Sequence, residues 1–424
     1  MNLDGPVVLL TVDTLRADRL TPDCFPESFP LFEREFARFT SAISHGNATP
    51  HAFPGIVTGY PVVGNGEFRS EATTIAEILG GASSGFSNNA HLTAERGYDR
   101  GFDRFHDLSP PDSRSPVERL KRIEALRDSE TVVKAYRLLR RLRDAAKSNG
   151  EEGVVHPFPN PKTTADVVTE FVVRRLGKAD DFVWGHYMDP HKPFHPDQAV
   201  DGPEIDRSYE EIEHLNSYEH TRDPVNEDDM AFLESLYDSN IRYLDRELAR
   251  LFETMRERGV YDDALIVVVG DHGELFGEHG LMFHPMDVDP VDELVRTPLL
   301  VKYPGGAHAG ETFDHLVQHA DVLATIARVT GISSPAIPET AHPLTETDPR
   351  RVISKSNTSI RLTEPDGVAF VRRDGTESGI EEVSEEGRER LEEAEFPAVE
   401  TTGGTVKGVE EAERKRRLEA LGYQ

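Results

Sequence analysis

Residues 265–280 read LIVVVGDHGELFGEHG, and no other stretch of the chain limits the fold so sharply. Five apolar residues, mostly β-branched, run into Gly270, and Asp271, His272 and Glu274 then gather around Gly273. A short apolar run bounded by glycine predicts a strand covered on both faces, the environment of a parallel sheet. Such sheets place their chemistry just beyond the carboxyl ends of the strands. An aspartate and a histidine there offer a hard oxygen and an imidazole nitrogen to a divalent cation. A second run, residues 7–12, ends in the same manner on Asp13. Taken alone, Asp13 reads equally well as the cap of a following helix.

The remaining chemistry-bearing segments fall between these two strands. Residues 45–59, HGNATPHAFPGIVTG, form a loop that feeds a helix N-terminus, with Thr49 near its start. The free N–H groups of a helix start favour an anion, so a hydroxyl there is placed to meet an anionic substrate. Helix capping is the competing role for Thr49. Residues 181–187 predict a third sheet strand running into MDPHKPF, and His186, His191 and Lys192 fall within seven residues around its carboxyl end. Three such groups at a strand end suit an anion or a leaving oxygen. Beyond the opening stretch, His284 stands before a further strand within 295–304.

Around these landmarks the pattern predicts helices at 71–79, 163–176, 227–259 and 320–330, with a short strand and glycine-rich segment up to 105. Residues 197–226 are acidic and irregular and read as a surface excursion. A basic helical insertion is expected at 115–147, docked on its own domain. From about 333 the apolar runs shorten, with candidate strands at 352–355 and 367–372 and a terminal helix at 406–421. The expected organisation is a catalytic α/β domain over 1–335 and a small α+β subdomain over 336–424.

Composition narrows the class. Asp and Glu total 77 against 47 for Lys and Arg, a net charge of -30, and only ten of the basic residues are lysine. We read this as a surface that stays hydrated in concentrated salt, a halophilic trait; full stability without KCl would count against it. The same charge disfavours nucleic acid, whose phosphates need basic surfaces. The lone cysteine, Cys24, allows no internal disulfide. Residues 6–12 are too short for a signal core, and no run reaches the roughly 20 apolar residues of a membrane span. These features predict a cytoplasmic chain without a transmembrane segment, and they admit a homo-oligomer.

Taken in order, VDTLRAD at 12–18, ATPHAFPGIVTG at 48–59, HYMDPHKPF at 186–194, GDHGELFGEHG at 270–280 and VRTPLLVKYPG at 295–305 resemble the sulfatase branch of the alkaline phosphatase superfamily. The closing LEALGYQ is similar to that family's last helix. The resemblance implies an alkaline-phosphatase-like α/β sandwich, with a large mostly parallel central sheet flanked by helices. It implies one divalent ion (Ca²⁺, Mn²⁺ or Mg²⁺) held by Asp13, Asp271 and His272 with Thr49. It further implies substrate or leaving-group roles for His186, His191, Lys192 and His284.

Two departures matter. Thr14 stands where sulfatases of this type usually carry a second aspartate. Thr49 occupies the position of the cysteine that becomes formylglycine, and Phe53 that of its arginine partner, so no formylglycine is expected. A formylglycine hydrate expels sulfate by collapsing to the aldehyde, an exit that a sulfated threonine lacks. A phosphorylated threonine can instead be attacked at phosphorus. The expected activity is therefore hydrolysis or transfer of phosphate mono- or diesters, on an anionic small-molecule, glycan or lipid-headgroup ester. A sulfatase working without formylglycine is the first alternative. An inactive, sulfatase-like binding protein is the second, and absence of micromolar metal binding would favour it.

Overall fold

The computed structural model describes residues 5–63, 67–69, 71–107, 164–176 and 181–398. The basic segment 115–147 and the terminal helix expected at 406–421 lie outside the described residues.

Eight strands form one twisted sheet. In spatial order they are Thr312–Phe313, Ala37–Phe39, Leu299–Lys302, Leu265–Gly270, Val7–Val12, Phe182–Tyr187, Ser83–Ser87 and Arg104–Asp107. Only the pairings of Leu299–Lys302 are antiparallel within this sheet, so the sheet is mostly parallel. The central strand is apolar at nearly every position because both faces are covered. Val8, Leu10 and Val12 face a core shared with the 31-residue helix Glu227–Glu257 and with Ala165–Leu176. Val7 and Leu9 face the opposite core, built on Phe53, Ile56 and the helix Ala320–Thr330.

Register is what positions the site. Val12 pairs with Gly270 on one side and with Tyr187 on the other, so three strands finish flush. The ladder continues one step past them: Asp13 N–H donates to Tyr187 O at 2.9 Å, and Asp271 N–H to Val12 O at 3.0 Å. Asp13, Asp271 and the residues after Tyr187 are thereby held on one rim.

Two expectations are corrected. The segment 197–226 is not simply a surface excursion: it folds into the helix Tyr209–Leu215 and a turn at Tyr218–Thr221, and Asn216 is buried against the rim. The C-terminal region contains strand Ser359–Glu364 besides the two expected ones, and its strongest apolar alternation was hidden by Arg361. That arginine is buried, donating to Pro290 O at 3.0 Å and to the Asp292 carboxylate. Strands Val352–Lys355, Ser359–Glu364, Gly367–Arg372 and Glu377–Ser378 form an antiparallel sheet carrying helix Glu385–Glu392. Its hairpin docks beside the rim, where Lys355 N–H donates to His45 O at 2.8 Å.

Candidate metal centre

Asp13, Asp271 and His272 come together at the flush strand ends, each fully buried, with ligand atoms all within 4.8 Å of one another. In each of the three, one polar atom is tied into the protein and the other is turned inward. Asp13 Oδ2 accepts from Asn89 Nδ2 at 2.7 Å and from His186 Nε2 at 3.2 Å, and the Thr49 hydroxyl lies at 3.4 Å. Its Oδ1 has no hydrogen-bond partner among the described residues. Asp271 Oδ1 accepts the N–H groups of His272 at 2.7 Å and Thr14 at 3.1 Å, while its Oδ2 has no hydrogen-bond partner among the described residues. His272 Nδ1 lies 2.9 Å from Gly273 O, and a carbonyl can only accept, so that nitrogen carries the proton. Nε2 therefore presents its lone pair, 3.6 Å from both Asp13 Oδ1 and Asp271 Oδ2.

Two buried carboxylate oxygens without partners would be costly in a site meant to stay empty of charge. They suit a divalent cation, for which two hard oxygens and a neutral imidazole are a good donor set. The electrostatics agree. Burial pushes His272 down to about 3, keeping it in the ligating neutral form. Burial and then the charge of Asp13 push the Asp271 carboxyl well above its ordinary value. Burial acts upward on Asp13 as well, but His191, His186 and His272 outweigh it and hold that carboxyl very low. Two anionic carboxylates at this spacing need an added positive charge between them.

The local backbone is bent to this purpose. Thr14 adopts φ 54° immediately after Asp13, and Phe283 φ 67° immediately before His284. Left-handed backbone at a threonine and a phenylalanine is strained and persists only where the surroundings enforce it. Gly273 is required for packing, since a Cβ there would stand 1.9 Å from Glu293 O.

Thr49 is the first residue of helix Thr49–Thr58, whose N-cap is Ala48 with no side-chain cap hydrogen bond. Its hydroxyl points instead to the centre, 3.3 Å from His272 Nε2. His186 lies behind Asp13 and does not face the cleft. Trp184 Nε1–H donates to Thr11 Oγ1 at 2.9 Å, Thr11 meets His186 Nδ1 at 2.9 Å, and His186 passes the chain on to Asp13. It therefore orients a ligand. His191 and His284 meet near the centre with their rings tilted by 60° and centroids 5.0 Å apart, and His284 is 4.8 Å from the His272 ring. Lys192 is turned elsewhere: its ammonium donates to Asn216 O at 2.7 Å and lies over the rings of Tyr218 and Phe283. Burial pushes that ammonium well below the usual lysine range.

Two neighbours were missed from sequence. Asn89 contacts both Asp13 and Thr49, at 2.7 and 3.4 Å, yet it follows an unremarkable strand of small residues, SSGFS. Glu274 takes the Nδ1–H of His284 at 2.8 Å. Its place within GDHGE was visible, but its partner ten residues on was not.

Comparison with known proteins bears on the whole arrangement. The chain is 33% identical over 112 residues to a choline-sulfatase of Rhizobium meliloti (strain 1021), a stretch covering 26% of this chain and 20% of that protein. It is 30% identical over 103 residues to a lipoteichoic acid synthase of Staphylococcus saprophyticus, covering 23% of this chain and 16% of that one. These matches thus span about a fifth or less of the relatives' length. Phosphonate monoester hydrolase SpPMH from Silicibacter pomeroyi shares the fold, with a TM-score of 0.60 over 90% of each chain at 17% identity. The alkaline-phosphatase-like architecture expected from the motifs is the one observed. The sulfatase family profile matches residues 6–332, which takes in both metal-side strands, the Thr49 helix and the histidine segment, and the chain belongs to the sulfatase family.

Proposed function

We propose that the protein is a divalent-metal-dependent ester hydrolase or transferase in which Thr49 is the nucleophile and the ester is a phosphate mono- or diester. One observation carries this reading: the Thr49 hydroxyl caps nothing and lies beside the candidate metal ligands, 3.3 Å from the inward-facing Nε2 of His272 and 3.4 Å from Asp13 Oδ2. A Ca²⁺, Mn²⁺ or Mg²⁺ ion held by those three residues and Thr49 would lower the pKa of the hydroxyl and neutralise charge on the ester.

The chain's own groups account for the other requirements. The Thr49 hydroxyl lies 3.4 Å from Asp13 Oδ2, and Asn89 Nδ2 contacts both oxygens at once. Glu274 sets the tautomer of His284, whose ring then stands with His191 on the cleft side to serve the leaving oxygen. Lys192 serves from behind, holding the wall that the substrate meets. Attack of Thr49 on phosphorus forms a phosphothreonine and releases the alcohol; water or a second alcohol then takes the phosphoryl group. The same two steps on a sulfate ester would stall at the second, because sulfothreonine has no aldehyde to collapse to. The family includes relatives named for sulfate and for lipoteichoic acid, so both ester types belong in the assay.

The test compares aryl phosphate, phosphodiester and aryl sulfate turnover with each metal, in wild type and Thr49→Ala. We expect phosphoester turnover to exceed sulfatase turnover. Thr49→Ala should remove at least about 10³-fold of it, and Thr49→Ser should keep a part. Because no cap is lost, Thr49→Ala should leave thermal stability nearly unchanged. A folded Thr49→Ala protein with near wild-type rates overturns the assignment.

A further inference from the structure

The turn at Tyr218–Thr221 forms one wall of a cavity of about 570 Å³, a volume that suits a small ligand. His284 stands at its inner end and Asn357, from the hairpin of the C-terminal sheet, on its far side. Asn357 is fixed there by its N–H, which donates to Met286 O at 2.8 Å, and by a 3.0 Å contact of its side chain with His51 Nε2. The cavity therefore abuts the candidate metal centre through His284, and part of its lining comes from a segment remote in sequence.

The phenol of Tyr218 is the unusual group in this wall. Lys192 Nζ covers its ring at 3.1 Å from the centroid, and Phe283 packs edge-on with centroids 6.0 Å apart. Phenylalanine would serve both contacts. The hydroxyl is nonetheless present, buried, and without a hydrogen-bond partner among the described residues. Burial first, and then the charges of Glu274 and Asp13, push the phenol well above its ordinary range, so it stays protonated and lies within reach of the centre's field. An unsatisfied buried hydroxyl is destabilising, and a ligand oxygen accepting from it would relieve that cost.

The charged lining says what kind of ligand fits. Glu219 and Asp287 are set against Arg222 alone, and Arg222 is paired with Asp287 at 2.9 Å. The wall is thus net negative, and it opposes a polyanionic chain or an extra carboxylate. Thr221 and Asn357 add uncharged donors and acceptors, and Met286 an apolar patch, as a hydroxylated carbon skeleton requires.

We propose that this cavity is the subsite for the alcohol half of the ester, that it takes a small uncharged polyol or single sugar unit, and that the Tyr218 hydroxyl is its inner hydrogen-bond donor. The proposal rests on the phosphoester reading above. Its test is calorimetry on the full-length, Mn²⁺-loaded chain in the Thr49→Ala background, where no turnover intervenes. The probes are inorganic phosphate, glycerol 3-phosphate, 3-phosphoglycerate and phosphocholine.

Glycerol 3-phosphate should bind about tenfold tighter than phosphate, and 3-phosphoglycerate no tighter than phosphate. Adding Tyr218→Phe should cut glycerol 3-phosphate affinity about three- to tenfold and leave phosphate affinity unchanged, which mere loss of packing would not do. Equal binding of phosphate and glycerol 3-phosphate overturns the subsite while sparing the phosphoester reading. Tighter binding of phosphocholine or 3-phosphoglycerate overturns the uncharged class. Failure of phosphate itself to bind overturns both the subsite and the reading beneath it.

Discussion

At the scale of single residues, the centre is an exercise in giving each donor atom one job. Asp13 spends Oδ2 on three protein groups and leaves Oδ1 without a partner among the described residues, and His186 is one of those three. Removing it in His186→Ala should weaken Mn²⁺ binding about 10- to 100-fold, because the ligand loses its support while keeping its charge. Titration calorimetry measures this directly; an unchanged affinity would return His186 to a substrate role. The candidate ligands were readable in the sequence because each follows an apolar run that could only be a buried strand. The sequence suggests a substrate role for His186 because His191 and Lys192 follow it so closely, although the Lys192 ammonium is in fact turned toward Asn216 O. Alternation along the strand decides otherwise: His186 pairs with Thr11 one step before the rim, so its side chain lies beneath Asp13. Asn89 could not be read at all, since nothing in SSGFSNN marks an amide as close to Thr49.

At the scale of elements, the informative features are the register of three strands and the tight corner after Gly270. Gly273 has no room for a methyl group against the Glu293 carbonyl. Gly273→Ala should therefore destabilise the fold by about 1–3 kcal/mol and displace His272 with it. A thermal scan and a metal titration on the same sample check both effects; a wild-type melting point would show that the corner can yield. Helix boundaries for 163–176, 227–259 and 320–330 followed from period and caps, and they agree with Ala165–Leu176, Glu227–Glu257 and Ala320–Thr330. Segment 197–226 was misjudged because its acidic, aperiodic composition describes its outer face. The inner face rests on few residues, Asn216 and Tyr218 chief among them, too few to give a pattern.

At the scale of the whole molecule, buried neutral histidines tie stability to pH. Burial pushes His51 down to about 4 and His319 to about 3, from an ordinary 6.5. Below 6.5 the unfolded chain takes up protons that the folded one refuses, so stability falls as the pH drops from about 6.5 toward 4. Above 6.5 these two groups contribute no slope. Urea midpoints between pH 7.5 and 4.5 at fixed salt should decline only in the lower range, by up to about 1.4 kcal/mol per pH unit for each histidine fully engaged. His319→Gln should flatten the decline; an unaltered profile would remove His319 from the account.

The flush ends of three strands have a kinetic consequence. Thr14 and Asp271, joined at 3.1 Å, are 257 positions apart, so the candidate cradle cannot exist until segments far apart in the chain have met. Pairings of such long range form late on the way to the native state. An ion that recognises only the finished cradle stabilises the product of folding and not its transition state. Adding Mn²⁺ should therefore slow unfolding in stopped-flow denaturant jumps while leaving the refolding rate unchanged. A refolding rate that rises with Mn²⁺ would mean that the cradle assembles early and guides the chain.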